Sequence, residues 1–382
     1  GVRSGVVTIA GALVLLTISQ GPVQALLGKK VGATVASLQE VRFSQRDQDT
    51  LERGYYESLL EPHNFTAALW QVQVNRPKGW DKTIVEAGAA RRTNNLLRYE
   101  LLPSIQVNFR HALLSTNQWG MRDKEYLLKK PPNTYRMAVL GASDEMGWGV
   151  ADDDVFDSRV EKRLNAEQTG QHFEILNFAV SGYALLQNVV QTEGRVLAFK
   201  PDAILYMAHA NYAERLLDTF SRTLVEGGKI SYDSLRSVGR RAGVVPGMDK
   251  TEAERRLKPF VDEIIEWGYK RIVMDCRNKG TLPVWIYLPR TYDTKNDLRV
   301  IQSHLRELAR EAGFVTLSMD DAYIGHEQQA LQLAAWDKHP NRRAHGLLAD
   351  RLFALLLKNS AVLNLPLDAV PASHLSGQPA TK

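Results

Sequence analysis

From Tyr135 onward, short apolar runs closed by Gly, Asn or Pro alternate with amphipathic stretches. A run of four to eight apolar residues bounded by turn residues reads as a buried strand. A longer stretch with apolar positions every three or four residues reads as a helix lying against it. The pattern predicts strands at Arg136–Leu140, Phe173–Val180, Ala203–Ala208, Val284–Leu288 and Phe314–Ser318. It predicts helices at Phe156–Ala166, Leu186–Phe199, Thr251–Asn278, Leu298–Ala312 and Arg343–Lys358. Alternation of this kind builds a parallel sheet covered on both faces, so the expected fold class is α/β, a three-layer sandwich. The segment Tyr212–Lys250 is long for a connection and holds Gly227, Gly228 and Gly243, which suggests a lid or binding loop. Residues 31–130 follow no single period. A polar helical stretch, Ser44–Leu60, gives way to Pro77-Lys78-Gly79 and then to the alternating Ile105–Leu114, so a small mixed accessory region is expected there. The α/β unit is bounded at 131–358, and the Pro-, Ala- and Ser-rich tail 359–382 is expected to be loosely held. No internal repeat is visible.

The N-terminus adds a positional signal. Ser4–Gly28 carries no charged residue, and its most apolar part is Val6–Ile18. Spanning a bilayer takes about 20 apolar residues, so residues 1–30 are expected to form a transmembrane anchor helix. Gly21, Pro22 and the small-residue site Val23-Gln24-Ala25 keep a cleaved secretory signal as the rival reading, and a buried soluble helix as a third. The first two both put the bulk of the chain outside the cytoplasm.

Composition excludes several classes. Of 382 residues, 44% are hydrophobic and 24% charged, an ordinary globular balance. The net charge of +5 comes from 48 basic and 43 acidic residues with no basic run, so no nucleic-acid partner is expected. The single cysteine, Cys276, rules out an intrachain disulfide and a Cys-based zinc site. Asn64-Phe65-Thr66 matches a glycosylation acceptor and is taken as incidental. Asp320-Asp321 reads as a loop cap, and Asp152-Asp153-Asp154 as favourable charge ahead of a helix; no metal site is expected at either.

In an open parallel sheet, ligands bind beyond the carboxyl ends of the strands. The first predicted strand is followed by Gly141-Ala142-Ser143-Asp144-Glu145-Met146-Gly147-Trp148-Gly149-Val150. A Gly two residues before a Ser permits a tight strand-to-helix turn that exposes the hydroxyl, although a helix-capping Ser fits the same turn. The second strand leads to Ser181-Gly182-Tyr183, and the third to His209-Ala210-Asn211. A Gly N–H and an Asn amide suit a developing oxyanion. Before the last predicted helix stands Trp336-Asp337-Lys338-His339-Pro340-Asn341, with His345 further on. Here a carboxylate can hold an imidazole in one tautomer while the ring takes a Ser proton; the plain alternative is a polar loop capped by Asn341.

Taken in order, Gly-x-Ser, Gly, Asn and Asp-x-His-Pro-Asn over Tyr135–Leu357 resemble the SGNH hydrolase superfamily, also called GDSL esterases. Asn117–Tyr126 is similar to the lead-in of some membrane-anchored bacterial members. The resemblance implies a flavodoxin-like five-stranded sheet, Ser143 as nucleophile, His339 as general base and Asp337 as its orienter. It implies an oxyanion hole of the Ser143 and Gly182 N–H groups and the Asn211 side chain. His209, Tyr183 and His345 are further pocket candidates, His345 as a reserve base. No cofactor and no metal are implied. The expected reaction is hydrolysis of a carboxylic ester, acyl or acetyl, through an acyl-enzyme. The substrate would be a small acyl ester or an acylated cell-envelope polymer. The expected location is the bacterial inner membrane, single-pass with a periplasmic catalytic domain, or secretion after signal cleavage. Two alternatives stand beside it: an O-acyltransferase on exported polysaccharide, and a catalytically silent subunit bound to a membrane-protein partner. Ala142 replaces the family's usual Asp, and His209 its usual Gly. Only Lys338 separates Asp337 from His339, where two residues are often found. His209 is expected either to narrow the pocket or to add a hydrogen bond.

Overall fold

The computed structural model describes residue 80 and residues 82–110, 112–167, 170–293 and 295–367. All of them fall in the unit Arg76–Lys382. The expected anchor, the Asn64 triplet and the end of the tail lie outside the described residues. Among the described residues, no helix is long and apolar enough to cross a membrane.

Two β-hairpins come first. Strand β1 (Ala90–Arg92) pairs with β2 (Tyr99–Leu101), and β3 (Gln106–Phe109) with β4 (Ala112–Ser115), both antiparallel. The main sheet then contains β5 (Thr134–Leu140), β6 (His172–Asn177), β7 (Ala203–Ala208), β8 (Leu282–Tyr287) and β9 (Val315–Ser318). They lie in the order β6-β5-β7-β8-β9, and every pairing is parallel. This is the flavodoxin-like order, with its switch point between the first and third strands of the sheet, β5 and β7.

Successive side chains of a strand point to opposite faces, and both faces here are covered. Ala138, Leu140, Ile204, Tyr206 and Trp285 belong to one core, with Leu186 and Val189 of helix α3, Phe220 of α4 and Ile272 of α7. Met137, Val139, Leu205 and Val284 belong to the other, with Val160 of α2 and Leu352 of α9. The helices run, in chain order, α1 (Ser143–Met146), α2 (Phe156–Glu167), α3 (Leu185–Gly194), α4 (Tyr212–Val225), α5 (Asp233–Arg241), α6 (Lys250–Leu257), α7 (Val261–Asn278), α8 (Lys295–Ala312), α9 (Arg342–Lys358) and α10 (Ser360–Leu363). Each large apolar side chain fully buried in these layers contributes about 1.5–3 kcal/mol.

The structure departs from the sequence reading in several places. The predicted helix Thr251–Asn278 is two helices, because Pro259 sits in a 3-10 turn, Lys258–Phe260, where the α-helical ladder breaks. The expected lid, Tyr212–Lys250, holds α4 and α5, whose Leu216, Phe220, Leu235 and Val238 pack into the core. The start of the expected tail is held too: α10 buries Leu363, and the Tyr135 hydroxyl donates to the Leu363 carbonyl. The hairpins share a core with Met146, Ala179, Val180 and Tyr183, so the described part of the accessory region packs on the loops at the carboxyl edge of the sheet.

The lead-in Asn117–Tyr126 has a mechanical role. Arg122 is buried and donates to the carbonyls of Met146, Gly147 and Val150, and to Asp152 Oδ1 at 2.9 Å. One guanidinium thus pins the loop that follows Ser143. Arg136, fully buried in β5, donates to Glu174 and to the carbonyls of Leu127, Leu128 and Phe199, which ties the residues just after the lead-in to the sheet. A buried guanidinium is tolerable only with its donors satisfied in this way.

His345 lies in α9, fully buried and stacked on Phe156 at 6.0 Å, and neither ring nitrogen has a hydrogen-bond partner. Burial, aided by the Arg159 and Arg122 charges, lowers its pKa from 6.5 to about 3. It is therefore a neutral core residue and makes no bond to Ser143. Between pH 6.5 and about 3 the unfolded chain binds a proton at this site that the folded chain refuses. Stability present above pH 6.5 is thus lost progressively as the pH falls. His345→Leu is expected to flatten the acid limb of the stability curve, measured by urea unfolding at pH 7 and pH 4.5; an unchanged limb would refute this origin.

Candidate active site

The site forms where β5 and β7 end. After Leu140 the chain turns through Gly141 and Ala142, and Ser143 opens the single-turn helix α1. Glu145 shapes that turn. Its Oε2 accepts from the Ala142 N–H at 2.6 Å, and its carboxylate packs so closely on Gly141 that no Cβ would fit there. Its Oε1 lies 2.8 Å from His209 Nε2, while His209 Nδ1 lies 3.1 Å from the Leu288 carbonyl. An ionised Glu145 and the Leu288 carbonyl are both acceptors, an arrangement that favours the protonated ring of His209. Burial opposes charge on either group, but the attraction between them outweighs it. Glu145 is held below the usual carboxylate range and His209 above the usual imidazole range. Ala142 and His209 are thus joined through Glu145, which accepts from the backbone N–H of one and meets the ring of the other.

His339 arrives from the other side. Strand β10 (Gln332–Ala334) pairs antiparallel with β11 (Asp337–Pro340), with a register shift between Gln332 and Ala334. The segment read as a loop is therefore a short ribbon. Asn341 caps α9 by accepting from the Ala344 N–H at 3.1 Å. In this ribbon Asp337 and His339 are two residues apart and share a face. His339 Nε2 lies 2.9 Å from Ser143 Oγ, and His339 Nδ1 lies 2.5 Å from Asp337 Oδ1. Asp337 Oδ2 accepts from the indole N–H of Trp80 at 2.8 Å and of Trp148 at 3.1 Å. The Trp148 ring also stacks on the His339 ring, 4.7 Å between centroids. Burial works against ionisation of Asp337, but the hydrogen bonds and the adjacent imidazole prevail and hold its carboxyl far below the usual range. An ionised carboxylate only accepts, so Nδ1 carries the ring proton and Nε2 faces the Ser143 hydroxyl as an acceptor. Asp144 Oδ1 is 3.9 Å from the same Nε2.

Gly182 has φ +80, a left-handed conformation that suits glycine. The Tyr99 hydroxyl lies over it and donates to the Ser181 carbonyl at 2.5 Å, while the Tyr183 hydroxyl donates to the Tyr99 carbonyl at 2.5 Å. Asn211 precedes α4, makes no capping bond, and has its buried Oδ1 unpartnered. Ala142, Tyr183, His209 and Asn211 line one cavity.

Sequence reasoning missed Trp80, Tyr99, Glu145 and Trp148. Trp148 stands five residues beyond Ser143, and Glu145 two beyond it, so both were within view of the motif. Trp80 is 257 residues from Asp337, and no pattern along the chain links them. The acidic runs hold cations of the protein itself. Asp152 pairs with Arg122, Asp153 with Lys162, Asp154 with Arg159 and Arg342, and Asp321 with Arg351. Among the described residues, no group of three His, Cys, Asp or Glu could hold a metal ion. Burial pushes the Cys276 thiol up to about 12, so it is inert.

No family model and no curated protein matches the chain. Several solved structures do. An acetylxylan esterase from Geobacillus stearothermophilus is 15% identical, with 58% of this chain and 94% of that one covered at a TM-score of 0.40. A G-D-S-L-family lipolytic protein from Desulfitobacterium hafniense is 12% identical, covering 58% and 99% at 0.38. A psychrotrophic esterase from Pseudoalteromonas is 12% identical, covering 59% and 97% at 0.37. In these matches the chain is similar to esterases and a lipolytic protein. Those likenesses are distant, and what bears on the chemistry is the row Ser143–His339–Asp337 itself.

Proposed function

We propose that this protein is an SGNH-type serine ester hydrolase that works through Ser143, His339 and Asp337. The observation that carries the reading is the unbroken hydrogen-bonded row from Ser143 Oγ through His339 to Asp337, closed behind by two indole N–H groups. Ser143 Oγ attacks the ester carbonyl while His339 Nε2 takes its proton. Asp337 stays ionised and stabilises the resulting imidazolium. The N–H groups of Ser143 and Gly182 and the amide of Asn211 receive the oxyanion. His339 then protonates the leaving alcohol, and water releases the acyl group by the reverse sequence. Transfer to a sugar hydroxyl would share the first half of this path and differ in the acceptor alone. The Glu145–His209 pair favours a working site over a silent subunit, because it supports the turn that carries Ser143. An acylated cell-envelope substrate rests on the apolar Ser4–Gly28 stretch.

A fluorophosphonate probe provides the direct test. It should attach covalently to the wild-type protein at Ser143, with loss of fluoride, and leave Ser143→Ala unlabelled, as read by mass spectrometry. A folded wild-type protein that resists labelling would sink the proposal.

A further inference from the structure

We infer that Tyr99, carried by strand β2, is a positioning residue for the oxyanion hole, because its hydroxyl fixes the peptide unit that contains the Gly182 N–H. The inference rests on the hydrolase reading and on the part given there to Gly182. It goes further by giving the accessory hairpins a share in the chemistry.

The Tyr183 N–H donates to the Val180 carbonyl at 3.0 Å, which closes a β-turn over Val180-Ser181-Gly182-Tyr183. Gly182 has φ +80, and Ser181 is not among the residues of positive φ, so the turn is type II. A type I turn of the same four residues differs chiefly in having the central peptide, Ser181–Gly182, turned over. Glycine at the third position accepts either form. Sterics at that residue therefore leave the direction of this peptide open, and something else must set it.

The C=O and N–H of a trans peptide point opposite ways. Whatever holds the Ser181 carbonyl thus aims the Gly182 N–H. The Tyr99 hydroxyl donates to that carbonyl at 2.5 Å. In the turned-over form the N–H would face Tyr99 and be lost to an oxyanion. Burial, against the pull of the Arg215 and Arg98 charges, raises the Tyr99 hydroxyl to about 12, so it stays a donor through the neutral range. Tyr99 is itself held: its carbonyl accepts from the Tyr183 hydroxyl at 2.5 Å, and its backbone pairs with Arg92 of β1. On its other side the turn meets the nucleophile helix, where the Ser181 N–H lies 3.3 Å from Met146 Sδ. Among the described residues, no protein acceptor meets the Gly182 N–H.

The experiment compares wild type with Tyr99→Phe, which keeps the ring packed on Tyr183 and removes only the hydroxyl. With p-nitrophenyl acetate and the full chain, kcat should fall about tenfold or more, up to the 10²–10³ that a lost oxyanion donor costs. KM should stay within about threefold. An oxyanion forms in acylation and in deacylation, so kcat falls whichever step limits. The second measurement is inhibition by phenylboronic acid. Ser143 Oγ adds to its boron, His339 takes the proton, and the adduct carries a negative oxygen in a tetrahedral centre. Its inhibition constant should rise by about the factor lost in kcat. Wild-type kcat in Tyr99→Phe, a loss confined to KM, or unchanged boronate inhibition overturns the inference and leaves the hydrolase reading standing. Absence of Ser143-dependent turnover in the wild type overturns the reading and the inference with it.

Discussion

Ser143→Ala is expected to lower ester turnover by about six orders of magnitude while leaving thermal unfolding almost unmoved. The loss is large because hydroxyl, imidazole and carboxylate act as one unit, and without the nucleophile no acyl-enzyme forms. The stability effect is small because Ser143 Oγ bonds to His339 Nε2, while the turn is held by Glu145 and the following loop by Arg122. A lost hydrogen bond of this kind costs about 1 kcal/mol. Turnover of p-nitrophenyl acetate and a melting curve on the same preparations check both halves. A variant with wild-type activity would remove Ser143 from the chemistry.

Asp337→Asn is expected to lower kcat by about four orders of magnitude, and the structure says why. The second carboxylate oxygen accepts from two donors, Trp80 and Trp148. In the variant, the amide oxygen must stay on that side to satisfy both indoles. The NH₂ group then turns toward His339 Nδ1 and donates to it. The ring proton moves to Nε2, which now points a donor at Ser143 in place of an acceptor. The nucleophile loses its base although every heavy atom keeps its place. Steady-state kinetics on p-nitrophenyl acetate provide the check, and a loss of less than tenfold would show that Asp337 does not set the tautomer.

The α/β layers were legible in the sequence because buried parallel strands are continuous apolar runs, and Ala203–Ala208 is found where its pattern ends. Ser143, Asp337 and His339 were legible because each closes or follows such a run within a short motif. Helix α4 was not, because Gly227-Gly228 just beyond its end mark the segment as a loop although Leu216, Phe220 and Leu224 are spaced as in a helix. The acid partner of His209 was hidden for a different reason. Glu145 reads as one polar residue among several in a turn, and only the adjacency of β5 and β7 brings the two side chains together. Long-range partners such as Trp80 leave no periodic trace, since a single indole among hairpin residues looks like ordinary core.

The bond between Trp80 and Asp337 has a bearing on biosynthesis. A nascent chain makes the indole 257 residues ahead of its acidic partner, so the bond that backs Asp337 cannot form until that whole stretch has emerged. A molecule stopped short of Asp337 would already carry the serine but no base aligned to it. In the reading proposed above, competence thus waits on the ribbon, not on the sheet.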